Sequence, residues 1–128
     1  MERVTGIGGI FFKAKDPKAL GEWYARHLGI DVQDWGGAAF RWGEGAADAP
    51  SGSTVWSPFK ADTTYFEPST APFMINYRVA DLDAMRAQLR EAGVQVDDKV
   101  EDSEFGKFGW AMDPEGNRFE LWQPPAGM

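Results

Sequence analysis

Apolar and polar positions along the chain follow the same order twice. In each copy an apolar strand ends at an aspartate, an amphipathic helix follows, and the helix ends at a glycine. The strands are residues 7–16 and 73–81, and the helices are residues 17–28 and 82–92. Asp16 and Asp81 lie 65 positions apart, and Gly29 and Gly93 lie 64 apart. A repeat at half of a 128-residue chain predicts one domain built from two modules.

Local signals mark both ends of each helix. Asp16 and Asp81 predict N-caps, because a short carboxylate accepts backbone N–H bonds there, and Pro17 suits the first helical position. Gly29 and Gly93 predict left-handed C-terminal caps. Helical spacing places apolar side chains on one face of each helix, namely Leu20, Trp23, Tyr24, His27 and Leu28 in the first and Leu82, Met85 and Leu89 in the second. Each face is therefore expected to cover an apolar surface.

The other stretches predict strands and turns. The strands are residues 38–42, 53–59, 109–112 and 117–123, with a tight turn at 113–117. Trp56-Ser57-Pro58 matches Trp122-Gln123-Pro124 at an offset of 66, so each half is predicted as strand-helix-strand-strand-strand. Residues 43–52 predict a long mobile loop, 68–72 a connector, and 97–108 a loop that either closes over a site or lies solvated at the surface.

Composition removes several classes of function. The net charge of −7 and the lack of a basic cluster argue against nucleic-acid binding and leave neutral or cationic partners favoured. Without cysteine there is no disulfide, thiolate nucleophile or zinc-thiolate site. Because no basic-then-apolar leader and no apolar run of about 20 residues occurs, we expect a cytoplasmic protein with no membrane partner.

Two motifs resemble the vicinal-oxygen-chelate family of glyoxalases, bleomycin resistance proteins and dioxygenases. Trp23-Tyr24 followed by Leu28-Gly29 is similar to its aromatic-Tyr-x-x-x-Leu-Gly signature. The sequence MDPEGNRFEL at 112–121 is similar to its closing Asp-Pro-x-Gly-Asn-x-x-Glu hairpin. The resemblance implies an α+β fold of two βαβββ modules, about 4–67 and 72–124, whose mixed sheet forms a cup within a single domain spanning 1–128. It also implies a homodimer.

In that family a divalent metal is held by four positions, two from each module. Counting seven residues back from each aspartate gives Gly9 and Met74, and the two last-strand positions are Thr54 and Glu120. Glycine has no ligand, a thioether is too soft for Mg, Mn or Zn, and one carboxylate does not hold a divalent ion. We therefore expect no metal and no other cofactor.

The alternation of side chains along the strands predicts what lines the cup. Taking Gly9 and Met74 as inward, the lining set is Phe11, Lys13, Thr54, Trp56, Met74, Asn76, Arg78, Arg118, Glu120 and Trp122. Aromatic walls with a few polar groups are typical of a site for a small organic molecule. The alternative is a filled barrel in which Glu120 pairs with Arg78 or Lys13.

Three functions remain open at this point, namely a ligand-binding protein, an enzyme, and an interaction or scaffold module. The leading hypothesis is a protein that binds a small organic ligand in an aromatic cup, without metal. The alternative is an enzyme of the same family, a lyase, isomerase or dioxygenase, that uses Glu120 as a metal ligand or general base. His27 is the only histidine, which removes Ser-His and His-His catalytic pairs, and its place in the last turn of a helix favours a structural role.

Overall fold

The computed structural model describes residues 1–43 and 51–128. Its elements are β1 (Val4–Ala14), α1 (Pro17–Leu28), β2 (Ala38–Arg41), β3 (Ser53–Lys60), β4 (Phe73–Val79), α2 (Leu82–Glu91), β5 (Val96–Ser103), β6 (Gly106–Met112) and β7 (Arg118–Gln123). Both predicted helices are present, and the described helices include none long and apolar enough to cross a membrane.

The strands form one mixed sheet in the order β2-β3-β1-β4-β7-β6-β5. β1 is parallel to β3, β4 is parallel to β7, and β1 and β4 pair antiparallel where the two modules join. This topology confirms the α+β fold with two related modules. The second half is βαβββ, whereas the described part of the first half contains three strands, with an irregular segment that includes a turn at residues 30–37.

The helix boundaries follow from the caps that the sequence predicts. Asp16 accepts a hydrogen bond from the backbone N–H of Ala19, and Asp81 accepts one from Ala84, each at 3.0 Å. Gly29 and Gly93 have φ angles of 68° and 83°, in the left-handed region where a side chain is strained.

The two helices cover the sheet to different degrees. In α2, Leu82 and Met85 are buried and Leu89 packs against them, as predicted. In α1 the predicted face is too wide: Trp23 is 50% exposed, Leu28 is 63% exposed, and only Gly21 is fully buried. The helix presents Gly21 and Tyr24 to the sheet, while Trp23 packs against His27 on the outer side.

The predicted loop at 97–108 is wrong, because these residues form most of β5 and the start of β6. β5 carries charged residues throughout since it is the edge strand of the sheet, where charge discourages pairing with another chain. Its lack of alternation hid it in the sequence. Most of the predicted mobile loop at 43–52 lies outside the described residues.

The connector between the modules fills one half of the cup. Residues 61–72 link β3 to β4, and the side chain of Phe66 from this segment is completely buried against Met74 and Trp110. Tyr65 stacks on Phe59 beside it, with ring centroids 5.7 Å apart. The connector thereby leaves the other half of the concave face, beside β2 and β3, as the open part of the cup.

Candidate functional site

A row of side chains crosses the concave face of the sheet through Glu120. Strand register places Trp110 and Asn76 on either side of Glu120, and Gly9 and Val55 beyond Asn76. Glu120 is only 2% exposed. A carboxyl group this deeply buried needs hydrogen-bond partners, because transfer of a charge from water into a protein interior is costly.

Three donors converge on the carboxylate of Glu120. Nδ2 of Asn76 donates to Oε1 at 2.6 Å, and Nε1 of Trp110 donates to Oε2 at 2.9 Å. The hydroxyl of Tyr65 also donates to Oε2. The donors come from β4, β6 and the connector, so three separate parts of the fold fix the orientation of one carboxyl group.

Burial shifts the pKa values of both acidic groups in this network. Desolvation raises the pKa of Glu120, and the hydrogen bonds from Tyr65, Asn76 and Trp110 oppose that rise only in part. Desolvation and the nearby Glu120 carboxylate raise the pKa of the Tyr65 hydroxyl, so Tyr65 stays protonated and acts as a donor. The site therefore holds one proton acceptor, Glu120, whose affinity for a proton exceeds that of an exposed glutamate.

A cavity of about 460 Å³ opens beside this network. Its lining residues are Gly8, Phe11, Ala39, Arg41, Ser53, Val55, Asn76, Phe105, Phe108, Glu120, Trp122 and Met128. Glu120 and Asn76 lie at its buried end, while Ala39 and Arg41 lie on the exposed edge strand β2. The volume is within the range of small-molecule sites, and its walls are mainly aromatic and aliphatic.

Four residues of the predicted lining set reach this cavity: Phe11, Asn76, Glu120 and Trp122. Two others lie on the same concave face but under or beside the connector. Met74 is completely buried against Phe66, and Nζ of Lys13 lies 5.8 Å from the centre of the Phe66 ring. Neither Met74 nor Lys13 lines the cavity.

The two predicted arginines are held by aromatic rings beside the cavity. The Arg78 guanidinium lies 5.0 Å from the rings of both Trp42 and Trp122, and burial lowers its pKa. Arg118 lies 5.2 Å from the Trp110 ring and pairs with Asp97 at 3.2 Å. Glu120 forms no ion pair within the described residues, so its predicted pairing with Arg78 or Lys13 is wrong.

The predicted orientation of β3 is wrong by one residue. Trp56 packs against Tyr24 of α1, with ring centroids 5.1 Å apart, so it lies on the convex face. Thr54 shares that parity, and its hydroxyl bonds to the backbone oxygen of Ile7 and the indole of Trp42. Ser53 and Val55 line the cavity instead. The matching Trp-x-Pro motifs set the offset of 66, but their tryptophans lie on opposite faces.

Sequence reasoning placed Asn76 beside Glu120 but missed its other two hydrogen-bond partners, Trp110 and Tyr65. Trp110 was detectable, because the turn at 113–117 closes a hairpin whose register places residue 110 opposite residue 120. Tyr65 carried no such signal, since it lies in an irregular segment 55 positions from Glu120. Phe105 and Phe108 were assigned to a loop, so their place in the cavity wall was not predicted.

Within the described residues, the side chains around Glu120 do not fit a divalent metal ion. Gly9 and Val55 supply no ligand, Met74 is buried against Phe66, and the Glu120 oxygens already accept three hydrogen bonds. Over residues 1–43 and 51–128, no group of three His, Cys, Asp or Glu side chains is placed to bind one ion. Hard divalent ions need about three or more oxygen or nitrogen ligands from the protein.

A larger groove of about 740 Å³ lies on the opposite face of the sheet. It runs between α1 and the segment 32–36 and includes Trp35 and Gly21. We do not assign the functional site there, because its polar lining residues, among them Asp16, Lys18 and Glu22, are exposed to solvent. His27 is also exposed on this side, stacked on Trp23 outside the cup.

Comparison with known proteins gives one family and one fold. Residues 9–122 match the family model described as Glyoxalase-like domain. The fold is similar to methylmalonyl-CoA epimerase from Mycobacterium tuberculosis (23% identity, TM-score 0.60, 95% of this chain and 89% of that one). It is also similar to Streptomyces coelicolor methylmalonyl-CoA epimerase in complex with 2-nitronate-propionyl-CoA (20% identity, TM-score 0.69, 97% of this chain and 100% of that one). A third similar structure is that of a glyoxalase/bleomycin resistance protein/dioxygenase superfamily member from Vibrio splendidus 12B01 (14% identity, TM-score 0.57, 96% of this chain and 99% of that one). No curated protein matches the sequence.

Proposed function

The chain belongs to the glyoxalase-like domain family, and from that premise we propose that it binds a small organic molecule in the cup without a divalent metal ion. The observation that carries this proposal is the cavity of about 460 Å³, with a buried carboxyl group and amide at its inner end and aromatic rings along its walls. Such sites hold a ligand by burying its apolar body and orienting its polar end.

The contacts of Glu120 support the proposed independence from metal. A metal-ligating carboxylate directs its lone pairs at the ion, whereas the lone pairs of Glu120 accept hydrogen bonds from Tyr65, Asn76 and Trp110. An ion at the remaining acceptor site of Oε1 would find no further ligand among the described residues, since they hold no group of three side chains placed to bind one ion. One carboxylate does not hold a divalent ion against water.

A ligand screen read by tryptophan fluorescence tests the proposal. Trp122 lines the cavity, so we expect a bound aromatic molecule to change the emission of the wild-type protein. The change should be smaller in Trp122→Phe and unaltered in Trp23→Phe, because Trp23 lies on the outer side of α1. Binding should survive treatment with EDTA. Affinity that disappears with EDTA and returns with Mg²⁺, Mn²⁺ or Zn²⁺ would overturn the metal-independent assignment.

A second candidate function is proton transfer by Glu120. The observation that favours it is the position of Glu120, which lines the cavity while burial raises its pKa toward the range where a carboxylate is a useful base. In that case the Glu120 carboxylate accepts a proton from a bound substrate, while hydrogen bonds from Tyr65 and Asn76 hold the carboxylate in position. Glu120→Gln distinguishes the two functions: retained binding with lost turnover supports catalysis, and lost binding alone supports a ligand-holding role.

A further inference from the structure

The polar groups at the inner end of the cavity have spare capacity to accept hydrogen bonds. From the described residues, Oε2 of Glu120 accepts two hydrogen bonds, from Tyr65 and Trp110, whereas Oε1 accepts one, from Asn76. An ionised carboxylate can accept about four in all. Oδ1 of Asn76 is buried and has no partner within the described part of the chain. Two neighbouring side chains that line one cavity therefore each keep an unused acceptor.

The donors bonded at the inner end of the cavity are already engaged, and the other polar side chains of its lining, Ser53 and Arg41, lie on β3 and β2, two and three strands from Asn76. The hydroxyl of Tyr65 and the indole N–H of Trp110 donate to Glu120, and the indole N–H of Trp122 donates to the backbone oxygen of Phe105 at 2.7 Å. A ligand oxygen placed here would face the oxygens of Glu120 and Asn76 without a hydrogen between them. The site is thus matched to a ligand that brings its own N–H or O–H groups.

The charge of the Glu120 carboxylate narrows the class of ligand further. Glu120 is buried and forms no ion pair in the described residues, and the one cation that favours its ionised form, Arg118, is itself paired with Asp97. A buried carboxylate without a directly paired cation is unfavourable. The rings of Phe11 and Phe108 line the same space, and the faces of aromatic rings attract organic cations. The Trp122 ring also lines the cavity, but the Arg78 guanidinium already lies against it. A cationic nitrogen would donate hydrogen bonds to the unused acceptors, balance the charge of the carboxylate and interact favourably with the aromatic rings.

We propose that the ligand of the cup is an organic amine, whose ammonium N–H groups donate to Oε1 of Glu120 and Oδ1 of Asn76 while its apolar body lies against the aromatic wall. The proposal rests on the proposed function and specifies the class of molecule bound. In a metal site that chelates a substrate, the substrate supplies oxygen atoms with lone pairs. Here the protein supplies the hydrogen-bond acceptors and the bound molecule supplies the donors.

Three probes that share a phenyl ring and a two-carbon spacer test the class directly. Isothermal titration calorimetry would compare 2-phenylethylamine, 2-phenylethanol and 3-phenylpropionate on the wild-type protein. We expect the amine to bind about tenfold or more tightly than the alcohol, since hydrogen bonds to charged groups are worth roughly 1.5–3 kcal/mol. We expect no detectable binding of the carboxylate. This series needs no variant and so does not depend on how a substitution folds.

Glu120→Gln then tests whether Glu120 sets the preference. Gln keeps the shape and one acceptor oxygen but removes the charge, so we expect amine affinity to fall about tenfold while alcohol affinity changes little. Glu91→Gln, on the exposed end of α2, makes the same chemical change away from the cup and should alter neither. Alcohol or carboxylate binding as tight as the amine would overturn this inference and leave the proposed function intact. Failure of all three probes and of the wider screen would overturn the proposed function itself.

Discussion

Trp110 and Glu120 face each other across the β6–β7 hairpin, and the indole Nε1 donates a hydrogen bond of 2.9 Å to the carboxylate. Neither side chain has appreciable contact with solvent. Because Tyr65 reaches the same oxygen from the connector, the carboxyl group joins the hairpin of the second module to the segment that links the modules. The polar network is therefore part of what holds the cup together as well as part of its inner surface.

Replacing Trp110 with Phe removes one donor and keeps most of the ring. We expect the free energy of unfolding to fall by about 1–3 kcal/mol, because a buried acceptor loses a partner and the smaller ring leaves space. Urea denaturation followed by circular dichroism measures this. Trp23→Phe, at a half-exposed position, is the matched control and should cost clearly less. Equal losses in the two variants would contradict a role for the Trp110 hydrogen bond.

The raised pKa of Glu120 predicts how stability depends on pH. In the folded state this group holds its proton above the ordinary glutamate pKa of 4.5, so the folded protein binds more protons than the unfolded chain in that window. The contribution of Glu120 to stability is therefore complete below 4.5 and is lost as pH rises through the folded-state pKa. Glu120→Gln cannot ionise and should gain stability relative to wild type as pH rises.

Thermal unfolding of the two proteins between pH 4 and pH 8 provides the measurement. The stabilising contributions of Asp97 and Asp113, whose pKa values are lowered, are present above the ordinary aspartate pKa of 3.8 and are the same in both proteins, so the difference between the two melting temperatures reports Glu120. A difference that stays constant across this range would show that Glu120 has the same pKa folded and unfolded.

Tyr65→Phe should raise the pKa of Glu120 further. The Tyr65 hydroxyl donates to the carboxylate and stabilises its ionised form, so its removal favours the protonated form. NMR titration of the Glu120 side-chain carboxyl carbon would report the shift. Tyr24→Phe removes a hydroxyl next to Trp56 on the convex face and should leave the titration unchanged. A lower pKa in Tyr65→Phe would mean that the hydroxyl does not act as a donor to Glu120.

Gly8→Ala tests how tightly the inner end of the cup is packed. A Cβ atom at Gly8 would lie 2.2 Å from Oδ1 of Asn76 and 2.9 Å from the Trp122 ring, so neighbours must move. We expect a loss of about 1–3 kcal/mol in unfolding free energy. Gly21→Ala is the control, because its Cβ would meet Val32 at an ordinary 3.5 Å and alanine favours a helix. It should be neutral or stabilising in the same denaturation assay.

The features that the sequence predicted correctly are those with local causes. The caps at Asp16 and Asp81 depend on a side chain and a backbone three residues away. The inward faces of β4 and β7 follow from alternation within one strand. The repeat determined the fold class because the modules pair through β1 and β4, the strands that the pattern marks most clearly.

The errors arose where a position depends on distant parts of the chain. Trp56 and Trp122 occupy similar motifs, yet α1 covers the first and the cup holds the second. Tyr65 and Phe66 reach the cup only because the connector folds inward, which nothing in their neighbours indicates. β5 was missed because an edge strand exposes both of its faces to water and has no need for alternating apolar residues.

The close packing around Gly8 and Gly9 also limits which sequences can follow from this one by single changes. A Cβ at Gly9 would lie 2.8 Å from the ring of Phe11, so Gly9→His has no room for an imidazole unless Phe11 is shortened first. A second metal-binding side chain would then have to replace Asn76, which lies between Gly9 and Glu120 in the strand register. That replacement would remove the hydrogen bond from Asn76 to Glu120. Each intermediate loses packing or a buried hydrogen bond before any ion can bind. An oxygen-chelating centre is thus several destabilising substitutions away, whereas changes in the Phe105 and Phe108 wall can alter the choice of ligand one residue at a time.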